Sequence, residues 1–292
     1  MSLSPEAIDA SYAACRRVSR QAKSSFYPTF MLLPREKRRA MEVLYAFMRH
    51  TDDLADEPQP ARPRQEALVH WRAAFEHALL GQFDNRNGNN LLPAVADTIR
   101  RFRIPPEYLR AVIDGVEMDL NRRRFETFGE LEQYCDRVAS AVGLACIYIW
   151  GFHGKQALEP ARKCGVAMQL TNILRDLSED IQQDRVYLPL EDLRQCSYTV
   201  DDLLAGVADE RFIRLVTMEA TRAERLYREG AELTRWLEAD GRRVFGMMTA
   251  TYRELLRRIT RRPADVLKYR IQLGRVRKLR ITAQWLLLPP PT

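Results

Sequence analysis

At 292 residues, with 46% hydrophobic and 29% charged side chains, the chain has the composition of a globular protein and can bury a substantial core. That balance excludes a disordered chain, and the longest weakly polar run, "VASAVGLACIYIWGF", falls short of the roughly 20 apolar residues of a membrane helix. A net charge of +7 leaves nucleic acid, an anionic membrane surface and a phosphorylated substrate open as partners without choosing among them.

Helical signals dominate and strand signals are nearly absent. Ser4 as N-cap and Pro5 at the first helical position open the first helix. This segment carries acids and lacks the apolar centre and cleavage site of a secretory signal, so a cytoplasmic location is expected. Leu33–Pro34 begin the next helix, which runs through "MRHTDDLADEP" to the break at "EPQPARPRQ". Helical patterns follow at about 64–80, 91–102, 106–123 after the Pro105–Pro106 stop, and 128–153, the last opened by a Thr127/Glu130 capping box. Others span about 156–182, 199–205, 209–239, 241–262 and 263–288. No repeat and no Ser- or Gly-rich linker divides the chain, so residues 1–292 are expected to form one all-α domain.

Cys15, Cys135, Cys146, Cys164 and Cys196 form no C-x-x-C pair and are read as reduced core residues. The four histidines lack zinc-ligand spacing. There is no G-x-G-x-x-G and no G-x-x-x-x-G-K-[ST], so bound phosphate would have to be held by metals and side chains.

Two acidic strips carry the chemistry. Asp52, Asp53 and Asp56 follow the largely apolar "VLYAFM", and on a helix Asp52 and Asp56 repel at i,i+4 by a few tenths of a kcal/mol. In "QLTNILRDLSED", Asn172, Asp176 and Asp180 fall at i, i+4 and i+8 on one helix face, about 6 Å apart, with Gln169 one turn earlier. Oxygen ligands on a rigid helix suit Mg²⁺, which takes one or two carboxylates and completes its octahedron with water and substrate phosphate. Either strip alone reads as a solvated face neutralised by Arg49 or Arg175. Two strips facing each other across a bundle point to a metal-bridged diphosphate.

"SSFYPTFMLLPREKRRAMEVLYAFMRHTDDLADE" and "AMQLTNILRDLSEDIQQDRVYLP", with "DGVEMDLNRRRFETFGELEQYCDRVASAVG" between them, resemble the squalene and phytoene synthase family from about Ser11 to Arg280. The resemblance implies a single-domain isoprenoid synthase helical bundle with a central cavity. It implies that Asp52, Asp53, Asp56, Asn172, Asp176 and Asp180 bind Mg²⁺ and a prenyl diphosphate, with Asp52, Asp56, Asp176 and Asp180 taking part in catalysis. Gln169 would line the same site, and Arg49 would bind diphosphate with Tyr45 one turn before it. Further matches are Arg185 and Tyr187 in "DRVYLP", Tyr252 and Arg270. Ser25 and Phe26 match a segment that closes the site. Tyr134 matches a tyrosine at the reaction centre, and Val138, Ala139 and Gly143 match the pocket wall. Three positions depart from the pattern: Ala22 replaces a histidine, Lys23 is a displaced lysine, and Asp136 stands where many relatives have an aromatic.

The implied reaction joins two farnesyl diphosphates head to head into presqualene diphosphate and onward to squalene or a precursor, as in the bacterial branch that supplies hopanoids and other triterpenoids. Mg²⁺ is the implied cofactor, and NADPH enters if squalene is the product. A phytoene or dehydrosqualene synthase of carotenoid synthesis is the alternative within the enzyme class, and a noncatalytic assembly factor of the same fold is the alternative outside it. Nucleic acid is not an expected partner. The basic surface and the tail "WLLLPPPT" permit peripheral contact with the inner membrane surface, and downstream triterpenoid-pathway enzymes would be partners.

Overall fold

The computed structural model describes residues 4–22, 26–56, 61–83, 90–121 and 124–287. Ser4 caps α1 (Pro5–Gln21), its hydroxyl accepting the Ala7 N–H at 3.3 Å. After the short α2 (Tyr27–Phe30), α3 (Arg35–Asp56) carries the first acidic strip. Then come α4 (Ala61–Leu79), α5 (Leu92–Phe102) and α6 (Pro106–Asn121). α7 (Phe128–Cys135) passes through a π-helical turn, Asp136–Ser140, into α8 (Ala141–Trp150). α9 (Leu158–Gln182) carries the second strip. The rest is α10 (Leu190–Gln195), α11 (Val200–Leu204), α12 (Glu210–Gly230), α13 (Ala239–Arg261) and α14 (Arg275–Leu287). Among the described residues there is no strand, only the isolated bridges Arg124–Val186 and Phe152–Leu237.

The all-α expectation holds, with local differences. The helix expected over 209–239 ends at Gly230 and tightens into a 3₁₀ turn, Ala231–Arg235. Packing against α9 explains the glycine, since a Cβ there would lie 2.3 Å from Cys164 Sγ. The helix expected from Pro263 begins only at Arg275, because a 3₁₀ turn at Pro263–Leu267 buries Val266 and Ile271 N–H is tied to the Arg175 carbonyl at 3.3 Å. Thr127 does cap α7, accepting from Glu130 N–H at 3.3 Å, but Glu130 Oε2 accepts in return from the Glu126 N–H, one residue earlier than a reciprocal box requires. All five cysteines are free and buried.

Apolar side chains gather in two large clusters, with a small third of Ala55, Leu68 and Val116. One holds Cys15, Phe47, Trp71, Phe75 and Ile147, from α1, α3, α4 and α8. The other holds Leu131, Leu174, Phe212, Tyr227 and Ile259, from α7, α9, α12 and α13. The π turn lies between helices at two glycines. A Cβ on Gly115 of α6 would meet Val138 Cγ1 at 2.5 Å, and one on Gly165 of α9 would meet the Ser140 Cα at 2.5 Å. Only bare backbone lets α6 and α9 approach the turn this closely, and that approach aims Val138 and Ala139 at the space between the helices.

Candidate active site

That space is a cavity of about 470 Å³. From α3 it is lined by Met41, Tyr45, Met48 and Asp52, and from α9 by Ala161, Gly165, Met168 and Asn172. Both sets are spaced i, i+4, i+7, i+11, so each is one stripe along a helix. In both, the first residues are apolar or aromatic and the last is a polar, oxygen-bearing side chain, reached after about 16 Å of helix. The cavity is thus greasy along most of its length and polar at one end, where Arg49, Asp119, Gln169, Arg175 and Arg270 also line it. Phe30, Val142, Gly143, Trp150, Phe245 and Met248 complete the apolar walls.

The polar end is electrostatically awkward without a cation. Asp52 and Asp53 lie in the final turns of α3, and Asp176 and Asp180 near the end of α9, where the helix dipole already presents negative charge. Neither helix has a basic residue in its last turn. Arginines from elsewhere compensate in part. Arg49 pairs with Asp53 at 2.6 Å. Arg175 forks onto Asp176 at 2.7 and 2.5 Å, and Arg270 Nε reaches the same carboxylate at 2.8 Å. Asp180 is pushed up to about 7, first by burial and then by Asp176, with Arg185 opposing. Asn172 Nδ2 donates to Gln169 Oε1 at 3.1 Å, which leaves Asn172 Oδ1 buried with no hydrogen-bond partner.

Two tyrosines converge on one acid beside this end. Tyr134 donates to Asp119 Oδ2 and Tyr187 to Oδ1, each at 2.9 Å. Their rings stack at 5.4 Å with Phe125 alongside. Burial, with the Asp119 charge second, raises the Tyr134 phenol well above its ordinary range, so it keeps its proton. Phe26 stacks on Tyr252 at 5.6 Å across the same cavity.

Of the residues picked out from sequence, Phe26, Tyr45, Arg49, Asp52, Tyr134, Val138, Ala139, Gly143, Gln169, Asn172, Tyr252 and Arg270 line this one cavity. Asp53, Asp176, Asp180, Arg185 and Tyr187 do not line it; Asp176 reaches it through Arg175 and Arg270, and Tyr187 through Asp119. Ser25 and the side chain of Asp56 lie outside the described residues. Asp119 was missed. Its sequence signal is an acid on the face of α6 that buries Val112 and Val116, i−7 and i−3 from it.

Among the described residues no three histidine, cysteine or carboxylate side chains meet closely enough to hold a metal ion by themselves. The donors are nevertheless all oxygens, and the orphaned Asn172 Oδ1 is an acceptor that a cation would satisfy. This set fits a divalent ion that shares its coordination with a phosphate. No described helix is long and apolar enough to cross a membrane.

A profile of the family described as squalene/phytoene synthase matches residues 19–277. The chain is 38% identical to a 15-cis-phytoene synthase of Synechocystis sp., over 80% of this chain and 72% of that protein. It is 35% identical to a phytoene synthase of Arthrospira platensis, over 92% and 90% respectively. Its fold superposes on a dehydrosqualene synthase solved in complex with ligand, with TM-score 0.86, 27% identity and 96% of each chain covered. It also superposes on a squalene synthase from Alicyclobacillus acidocaldarius, with TM-score 0.82, 26% identity and 89% and 97% covered.

Proposed function

Because the chain belongs to the squalene/phytoene synthase family and is therefore a prenyltransferase, we propose that it condenses two allylic prenyl diphosphates head to head, in the first reading two farnesyl units. The observation that carries this reading is the pair of stripes that α3 and α9 present to one cavity, each apolar along its length and each ending in a polar side chain, Asp52 and Asn172. Two prenyl tails would lie along the stripes with their diphosphates at the polar end. Mg²⁺ held by Asp52, Asp53, Asp56, Asn172, Asp176 and Asp180 would neutralise the departing diphosphate when bound. Arg49, Arg175 and Arg270 add fixed positive charge where negative charge develops.

The apolar walls exclude water from the allylic cation, and the faces of Tyr45, Tyr134 and Phe30 offer it quadrupole stabilisation. The 2,3 double bond of the second substrate attacks this cation, and proton loss closes the cyclopropane of presqualene diphosphate. Tyr134, protonated and anchored to Asp119, serves better to orient the reacting carbon than to take that proton. The released diphosphate is the base at hand. Departure of the remaining diphosphate would give a second cation, which yields squalene if it takes hydride from NADPH and dehydrosqualene if it loses a proton.

The second reading takes geranylgeranyl diphosphate to phytoene, and the phytoene synthases at 35–38% identity favour it. Incubation of the purified protein and Mg²⁺ with farnesyl or geranylgeranyl diphosphate, with and without NADPH, separates the two by product mass. Turnover of neither substrate would refute the synthase reading and favour a noncatalytic role.

A further inference from the structure

A second concavity, of about 340 Å³, lies between the outer faces of α1 and α3. Arg16, Arg17 and Arg20 of α1 and Arg35, Arg38 and Arg39 of α3 line it, on i, i+1, i+4 and i, i+3, i+4 spacings that hold each set on one helix face. Like charges stacked this way repel along each helix and again across the groove. Two carboxylates answer the six guanidiniums. Asp9 takes Arg39 at 2.8 Å, and the buried Glu42 takes Arg16 at 3.7 Å and the Tyr27 hydroxyl at 2.9 Å. Arg20 Nε donates to Tyr27 Oη at 3.0 Å, and Arg39 also lies 4.1 Å over the Tyr12 ring.

Four guanidiniums have no carboxylate, Arg20 among them with only the Tyr27 hydroxyl. Arg38 donates one Nη2 bond to the Leu33 carbonyl at 3.1 Å, and its Nε is shut away from solvent without an acceptor. Arg17 and Arg35 have no partner among the described residues. The excess of four positive charges in a concave, arginine-built groove is the reverse of the acidic end of the catalytic cavity, where carboxylates await a cation. Guanidinium forks pair with phosphate oxygens in two-pronged fashion.

The geometry points to a second, non-catalytic site in this groove for a phosphate-bearing anion, held chiefly by Arg17, Arg35 and Arg38. A free diphosphate and the headgroup of an anionic phospholipid share that chemistry. Both are tested with the full chain. Inorganic diphosphate is titrated by calorimetry, without divalent cation, into Asp52→Asn/Asp176→Asn protein with and without Arg17→Ala/Arg35→Ala, and vesicles of phosphatidylglycerol or phosphatidylcholine are sedimented with wild type and Arg17→Ala/Arg35→Ala.

At least a tenfold weakening by Arg17→Ala/Arg35→Ala is expected. If only phosphatidylglycerol binding weakens, the occupant is a lipid headgroup; if only diphosphate binding weakens, it is the soluble ion. Equal binding with and without the two arginines, or binding of neither probe, overturns the proposal. Since neither arginine lines the catalytic cavity, Arg17→Ala/Arg35→Ala should turn over prenyl diphosphates at the wild-type rate, which also verifies its fold and lets the groove fail separately from the synthase reading.

Discussion

Arg222 lies between two buried carboxylates, donating to Asp192 Oδ2 at 2.7 Å and to Glu219 Oε1 at 2.6 Å, with its guanidinium 4.1 Å over the Phe128 ring. At the polar end of the cavity two arginines, Arg175 and Arg270, close on the one carboxylate of Asp176, while the neighbouring Asn172 oxygen has no donor. The first group is sealed among packed side chains, where one guanidinium serves two carboxylates and burial favours a proton on Glu219. Burial, with a hydrogen bond to Asp192 next and the Arg222 charge opposing, pushes Glu219 up to about 8. The second group faces a space and leaves its balance to what enters. The same side-chain types are thus sealed by packing in one place and line a cavity in the other.

Breaking the sealed cluster should give the largest change in stability. Arg222→Met strands a buried carboxylate and is expected to lower unfolding free energy by about 3–5 kcal/mol. Urea titration checks it, and turnover per folded molecule should stay near wild type. Breaking the open group should do the reverse. Asp176→Asn is expected to cut kcat about 10²–10³-fold while lowering Tm less than Arg222→Met does, because the pairing lost to Arg175 and Arg270 is partly offset by relief of repulsion among the acids at the helix end.

A smaller effect tests the proton on Glu219. Its folded value is raised from 4.5 to about 8, so the native state binds more protons than the unfolded chain in that window. Stability from this group therefore falls as pH rises through it. Wild-type Tm should decline between about pH 5 and pH 9 by more than that of Glu219→Gln, which has no such proton to lose. Parallel pH profiles for the two proteins would argue against a protonated Glu219.

Most of the site was legible because helical spacing converts sequence into geometry. Asp52 and Asn172 each close an i+11 stripe that could be drawn from sequence alone, and Gln169 and Arg49 sit within a turn of them. What could not be read was direction. Nothing in "TDDLAD" says that Asp53 turns to Arg49 while Asp52 lines the cavity, because that depends on which face of α3 meets α6 and α8. Asp119 was hidden for a related reason. Its meaning comes from two tyrosines, 15 and 68 residues away in sequence, that the fold brings to its two oxygens. The π turn escaped too, since the close approaches of Gly115 and Gly165 exist only once α6 and α9 are packed.

The central claim is that the two polar stripe ends form one clamp needing cation and diphosphate together. Thermal unfolding with Mg²⁺ alone, a non-hydrolysable farnesyl thiodiphosphate alone, and both together tests it most directly. Saturating ligand, at about 100 times its Kd, should stabilise the wild type by about 2.7 kcal/mol. The account predicts that shift only when both are present, and its loss in Asp52→Asn and in Asp176→Asn. An equal shift without Mg²⁺, or one that both variants retain, would contradict it.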